Sequence, residues 1–292
     1  MSMDRIDLHT HSSHSDGSFT PRQLVRLARK EALRAIALTD HDTVAGVEEA
    51  LTAGKELGVE VVPGVEISAQ YPGGTMHILG YYLCTGNREL VSQLERLQRE
   101  RAARNPKIIE RLQTLGLDIT KAEIQPFHSG QLGRPHIAQA LVRKGYVSSI
   151  DQAFRRYLKK GGPGYVEKFR FSPQQAITMI RKAGGLAVLA HPSSLEIEEP
   201  THLAQLVEDL QTNGLEGMEV YYPGHTDEMM VLYQKVAHRF GLLCTGGSDF
   251  HGTLRNGSYL GGGRGVENLC YGLLQDLKDR LRTSGRIREP LG

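Results

Sequence analysis

Tryptophan is absent from this 292-residue chain, and Cys84, Cys244 and Cys270 are its only cysteines. Three thiols so widely spaced exclude a disulfide framework and a zinc knuckle, and they read as buried residues. Long apolar runs are missing too: none approaches the ~18 residues that a membrane helix needs. The N-terminus carries acidic and polar side chains where a secretory signal needs an apolar stretch, so a cytoplasmic protein that makes no membrane contact is expected. Neither internal repeats nor low-complexity tracts are present, and nothing in the composition argues for disorder. What remains, 39% hydrophobic and 23% charged residues, suits one large globular domain with room for an insertion.

Acidic residues are scarce in one place. Residues 86–170 hold seventeen Lys and Arg against eight Asp and Glu, a net of +9, while the rest of the chain carries a net of −7. A basic segment of this size points to a phosphate-rich partner. The acidic remainder fits a region that gathers carboxylates around cations.

The most informative run is Asp7-Leu8-His9-Thr10-His11, which closes an apolar opening stretch. Strict alternation along a strand predicts that Asp7, His9 and His11 share one face. Comparable pieces recur, each beside a short hydrophobic stretch: Thr39-Asp40-His41-Asp42, Gly64-Val65-Glu66, Met76-His77, Ala190-His191-Pro192 and Ser248-Asp249-Phe250-His251. A single histidine is more often an ordinary core or surface residue. Six of them at the ends of apolar stretches are not.

Periodicity predicts strands near 5–9, 35–39, 59–65, 76–83, 186–190, 217–222 and 242–245. Between them lie a helix opened by Thr20-Pro21, a helix near 44–57 closed by Gly58, and helices near 173–183, 201–213, 226–240 and 271–283. Over 86–170 the β-α alternation lapses into helical stretches, near 88–115 with an interruption at Pro106 and near 135–158. The expected architecture is therefore an α/β barrel of seven parallel strands, formed by residues 1–85 and 171–292, with 86–170 inserted as a basic helical cap. In such barrels the active site gathers at the carboxyl ends of the strands. His9, His11, His41, Glu66, His77, His191, Asp249 and His251 all fall there, and Asp16 brings the candidate ligands to nine. Imidazole with carboxylate and no thiolate suits manganese, iron or zinc, whereas magnesium or calcium favours an all-oxygen shell. Nine ligands suffice for three ions if a carboxylate bridges.

His9-Thr10-His11 with Ser15-Asp16-Gly17, Thr39-Asp40-His41-Asp42, Gly64-Val65-Glu66, His77, Ala190-His191-Pro192 and Ser248-Asp249-Phe250-His251 together resemble the PHP (polymerase and histidinol phosphatase) family of metal-dependent phosphoesterases. The resemblance spans nearly the whole chain. It implies a distorted seven-stranded β/α barrel, akin to amidohydrolases, that holds two or three divalent ions, with manganese foremost. Carried over residue by residue, it gives His9, His11, Glu66 and Asp249 to one ion, Glu66, His77 and His191 to a second, and Asp16, His41 and His251 to a third. A stand-alone barrel with a cap looks most like the subgroup that removes phosphate from nucleoside 3′,5′-bisphosphates and trims short RNA from its 5′ end. A small-metabolite phosphatase such as one for histidinol phosphate, a polymerase proofreading module acting in trans, and a non-catalytic nucleotide-binding module remain as alternatives. No obligate protein partner is evident.

Ions of this kind lower the pKa of a shared water towards neutrality and clamp phosphoryl oxygens. Asp7 and Asp40 are expected to orient imidazoles, and His225 to give a proton to the leaving oxygen. For the substrate's other phosphates the candidates are Arg134 and His136 at a helix start, Lys159 and Lys160 in a glycine-rich loop, and Arg264 among glycines 261–265. Tyr165 and Phe127 could stack on a base.

Overall fold

The computed structural model describes residues 4–124, 133–252 and 259–286. They divide into two compact units, residues 1–93 with 170–292, and residues 94–169.

The larger unit is a seven-stranded sheet in sequential order: β1 (Ile6–Thr10), β2 (Ala35–Leu38), β3 (Glu60–Ala69), β4 (Met76–Tyr81), β5 (Leu186–Leu189), β6 (Gly217–Tyr221) and β7 (Leu243–Gly246). It is nearly closed, because Thr10 bridges Phe250 and the His11 amide donates to the Phe250 carbonyl beyond β7 at 2.9 Å. Ile6, Leu8, Ala35, Ala37, Val62, Leu79, Leu186 and Val188 cluster inside, against Leu274, Leu277 and Leu281 of helix α9 (Tyr271–Thr283). A second apolar layer joins Ile36, Leu38 and Val61 to α1 (Pro21–Lys30) and α2 (Val47–Leu57). Helix α1 starts where expected: the Thr20 hydroxyl accepts from the Gln23 amide, the Gln23 side chain accepts from the Thr20 amide, and Pro21 occupies the first turn. Gly58 ends α2 with φ 66°, a left-handed conformation that costs glycine little.

Two expectations about the strands change. β4 runs antiparallel to both β3 and β5, while the other pairings are parallel. Residues 70–75, with Pro72-Gly73-Gly74, can only turn the chain back on itself, because a parallel crossover needs a dozen or more residues. In β1 the register slips: Asp7 pairs with Ile36, but Thr10 pairs with Leu38, so three steps on one strand meet two on the other. This bulge interrupts the pairing between Asp7 and Thr10, yet Asp7 and His9 stay neighbours, since the His9 amide donates to Asp7 Oδ1 at 3.2 Å. The thiols are also more open than expected, with Cys84 and Cys270 exposed.

In the smaller unit, Ile108, Leu112, Ile119, Ile137, Leu141 and Leu158 form an apolar core of their own. Helix α3 (Arg88–Thr114) enters this unit and is not interrupted at Pro106; it continues through it, forgoing the bond a ring nitrogen cannot donate. The expected helix near 135–158 is instead α4 (Arg134–Arg143), the turn α5 (Ile150–Ala153) and a π-helical turn at Phe154–Leu158, because Gly145 at φ 74° ends α4. Within the larger unit the remaining helices are α6 (Pro173–Lys182), α7 (Pro200–Thr212) and α8 (Asp227–Arg239). No helix among the described residues is long and apolar enough to cross a membrane.

Candidate metal centre

All nine candidate ligands meet at the carboxyl-end side of the sheet. His9 and His11 come from the end of β1, His41 follows β2, Glu66 and His77 sit on the paired strands β3 and β4, His191 follows β5, and Asp249 and His251 follow β7. The loop after β7 is pressed close against β1: a Cβ on Gly247 would lie 2.4 Å from both the Cβ and the amide nitrogen of His9, so only glycine fits there. His191 and Asp249 hold φ of 22° and 52°, uncommon for residues with side chains and typical of functional positions.

Glu66 is the hub. Its Oε2 lies 2.8 Å from His41 Nδ1, 3.3 Å from His11 Nε2 and 3.4 Å from His9 Nε2. Its Oε1 lies 2.7 Å from His77 Nδ1 and 3.0 Å from His191 Nε2. Thus one buried carboxylate faces five imidazoles. Asp249 Oδ1 lies 3.1 Å from His11 Nε2 and 3.5 Å from His9 Nε2, and Asp16 Oδ1 lies 3.2 Å from His251 Nε2. Among the described residues, three groups have ligand atoms within 4.8 Å of one another: His9, His11, Glu66 and Asp249; His11, Asp16, His41 and His251; and His41, Glu66 and His77. His191 adds to the last, since its Nε2 is 3.4 Å from His77 Nδ1.

These residues fit divalent cations on two grounds. Their donors are imidazole nitrogens and carboxylate oxygens, the set that borderline metals take. And buried polar atoms normally find hydrogen-bond partners, yet His9 Nε2, both ring nitrogens of His11, Glu66 Oε2 and His251 Nε2 make no hydrogen bond. Atoms that converge without bonding each other are arranged for a shared positive charge.

The electrostatics prepare the same site. Burial, reinforced by His251 and His41, pushes His11 down to about 3, and burial pushes His77 down to about 4, so both imidazoles are neutral and free to ligate. For Glu66, burial alone would raise the carboxyl, but His41, His77 and His9 outweigh it and hold it well below the ordinary range. Asp249 behaves likewise, with burial overcome by His9 and His11. His9 and His191 are lowered by burial but raised further by carboxylates, Glu219 foremost for His9 and Glu66 for His191.

Asp7 and Asp40 do not orient imidazoles. Asp7 accepts from the Ser248 hydroxyl and amide (2.5 and 2.9 Å), the Gly261 amide (2.8 Å) and the His9 backbone amide (3.2 Å), tying two loops to β1. Asp40 accepts from the Ser12 amide and hydroxyl and the Ser15 hydroxyl, at 2.6–2.7 Å, and so fixes the turn that carries Asp16. Imidazoles are oriented by other groups: Glu219 on β6, which the sequence reading passed over, has Oε1 2.9 Å from His9 Nδ1, the Ser194 hydroxyl lies 2.8 Å from His191 Nδ1, and the Asp249 carbonyl 2.7 Å from His251 Nδ1. A carboxylate between Met218 and Val220 in an apolar strand was the available signal.

His225 also differs from expectation. The turn in which its amide donates to the Tyr222 carbonyl folds it inward, to 1% exposure. Nδ1 lies 2.8 Å from the Val220 carbonyl, which can only accept, so Nδ1 carries the proton. Burial pushes its pKa down, leaving Nε2 a neutral acceptor, the reverse of what a leaving oxygen requires.

The substrate-binding candidates lie outside the ligand groups. Arg134 donates to the Leu158 carbonyl at 2.9 Å, and His136 Nδ1 accepts from the Gly133 amide at 3.1 Å, closing its own helix start. Lys159 and Lys160 are exposed beside Gly161. Arg264 is exposed, and the neighbouring Gly261 amide is committed to Asp7. Tyr165 lies 5.7 Å from the Arg134 guanidinium, and Phe127 falls outside the described residues.

The PHP domain model matches residues 7–167. A 5′-3′ exoribonuclease of Haemophilus influenzae is 34% identical over 247 residues, covering 85% of this chain and 90% of its own. A 3′,5′-nucleoside bisphosphate phosphatase of Chromobacterium violaceum is 32% identical over 288 residues, covering 96% and 98%. Among solved structures, a candidate metal-dependent phosphoesterase from Bifidobacterium adolescentis matches with a TM-score of 0.80 at 31% identity, covering 95% of this chain and 96% of its own.

Proposed function

This chain belongs to the PHP family of metal-dependent phosphoesterases, and we propose that it hydrolyses phosphate from nucleoside 3′,5′-bisphosphates or from the 5′ end of short RNA. The observation that carries the reading is Glu66, one carboxylate within 3.4 Å of five imidazole nitrogens. We assign two or three divalent ions to the groups around it, manganese first, with iron or zinc as alternatives. His9, His11, Glu66 and Asp249 would hold one, Glu66, His77 and His191 a second, and Asp16, His41 and His251 a third. Ions so held supply Lewis acidity to the attacking water and to the phosphoryl oxygens.

The chain's own residues prepare that chemistry. Glu66 and Asp249 stay ionised despite burial, and His11 and His77 stay neutral, so these four are already in their ligating form near neutral pH, while His9 and His191 give up protons to an arriving cation. Asp7 and Asp40 fix the loops that carry Asp249 and Asp16. Proton delivery to the leaving oxygen is left to solvent rather than to His225. The basic stretch 86–170, with Arg134, His136, Lys159 and Lys160, is the source we assign for cations that meet the substrate's remaining phosphates.

The test is phosphate release from metal-stripped protein reloaded with manganese, with adenosine 3′,5′-bisphosphate, a 5′-phosphorylated oligoribonucleotide and histidinol phosphate side by side. Turnover of either nucleotide well above that of histidinol phosphate is expected. Preference for histidinol phosphate would overturn the substrate assignment, and no turnover of any would overturn the hydrolase.

A further inference from the structure

Glu219 has no place in the ligand set, yet it touches two parts of it. It lies at the middle of β6 with its carboxylate fully buried. Burying a carboxylate in an apolar strand is costly unless both oxygens are satisfied. Here Oε1 is 2.9 Å from His9 Nδ1, and Oε2 accepts the backbone amide of His191 at 2.8 Å. Both partners are donors, one for each oxygen.

Each contact bears on a different ligand group. With its Nδ1 proton directed to Glu219, the neutral ring of His9 presents its lone pair on Nε2, the nitrogen that faces Glu66 at 3.4 Å and Asp249 at 3.5 Å. At the other oxygen, Glu219 holds the amide of a residue with φ 22°, a backbone conformation that persists only where its surroundings impose it. That residue aims its Nε2 at Glu66 Oε1, 3.0 Å away, next to His77. We propose that Glu219 is a positioning residue that couples two cation positions: by holding His9 for one and the His191 backbone for the other, it makes filling of either favour filling of its neighbour. This rests on the metal-centre reading above.

The chemistry of the carboxylate makes the coupling separable. Two donors need two acceptors, and an amide offers one oxygen and one NH2 group. Glu219→Gln therefore keeps one contact and sets donor against donor at the other, while Glu219→Ala loses both. Losing a group that orients a metal ligand typically weakens metal binding about 10–100-fold.

The experiment is calorimetric titration of metal-stripped protein with Mn2+, checked by circular dichroism for folding. Glu219→Gln is expected to weaken uptake about 10–100-fold and to separate the binding steps; Glu219→Ala is expected to weaken both. Lys278→Met serves as the comparison for simple loss of stability. It breaks a buried ion pair with Glu60, 2.7 Å away at the first residue of β3, and touches no ligand, so manganese uptake should be retained. Folded Glu219→Gln protein that takes up manganese as the wild type does would overturn the proposal. So would equal weakening in Lys278→Met, which would reduce Glu219 to a structural role.

A second measurement needs no variant. Native mass spectrometry at half-saturating manganese should show empty and multiply loaded wild-type protein, with little singly loaded species. Predominance of the singly loaded form would overturn the coupling. Wild-type protein that binds no manganese at all would instead sink the metal-centre reading, and the two failures are distinguishable.

Discussion

Replacing Glu66 with Gln removes one negative charge and almost no volume, which makes it a clean perturbation of the centre. The wild-type carboxylate lies 2.7–3.4 Å from five imidazole nitrogens, with two on one oxygen and three on the other. A hydrogen bond to a charged group contributes about 1.5–3 kcal/mol, but of the five contacts those from His77 and His191 are the hydrogen bonds, and partners sharing one carboxylate do not add. A better guide is the loss of one partner from a buried charge pair, about 3–5 kcal/mol. At about 1.4 kcal/mol per tenfold, this predicts manganese binding weakened roughly 10²- to 4 × 10³-fold, with more than one ion affected because both oxygens are engaged. Calorimetric titration of the metal-stripped variant with Mn2+, with circular dichroism to show an intact fold, reads the effect directly. A folded Glu66→Gln protein with wild-type affinity and stoichiometry would refute the reasoning.

Without metal, stability should peak near pH 6.5. Below it the unfolded chain takes up protons that native His11 (about 3) and His77 (about 4) refuse, costing about 1.4 kcal/mol per pH unit for each group. Above it native His9 and His191, both raised, keep protons that the unfolded chain has released, so stability falls again. Urea midpoints across pH check this, and a monotonic rise would contradict it. His225→Gln should keep turnover within a few-fold for substrates with good and poor leaving groups alike, since its Nε2 is an acceptor; a loss confined to poor leaving groups would restore it as the acid. Charge reversal at Lys159 and Lys160 should raise KM for a 5′-phosphorylated oligonucleotide and flatten its salt dependence while leaving kcat near wild type. An unchanged KM would remove these lysines from substrate binding.

The ligand groups were legible because most of their side chains end or follow an apolar strand, and the sheet brings those ends together whatever the details of the layers; Glu66 lies inside β3 and His77 at the start of β4. Strand direction was less so. The antiparallel β4 was announced by Pro72-Gly73-Gly74, a link too short for a crossover, but the surrounding β-α alternation obscured it. Asp7 misled for a different reason: the Ser248 and Gly261 amides that donate to it lie 241 and 254 residues away and meet it only once the sheet closes. His225 was read as the donor of a proton to the leaving oxygen, whereas the turn after Tyr222 buries it with Nδ1 at the Val220 carbonyl. Glu219 went unseen because its partners, a ring nitrogen 210 residues away and a backbone amide, exist only once the barrel forms.

The most direct measurement is anomalous diffraction at the manganese edge from crystals of the metal-loaded protein. The account predicts peaks among His9, His11, Glu66 and Asp249 and on the His77 and His191 side of Glu66, so that one carboxylate touches two ions. Crystals soaked in manganese that diffract well and show no anomalous density between these imidazoles would contradict it.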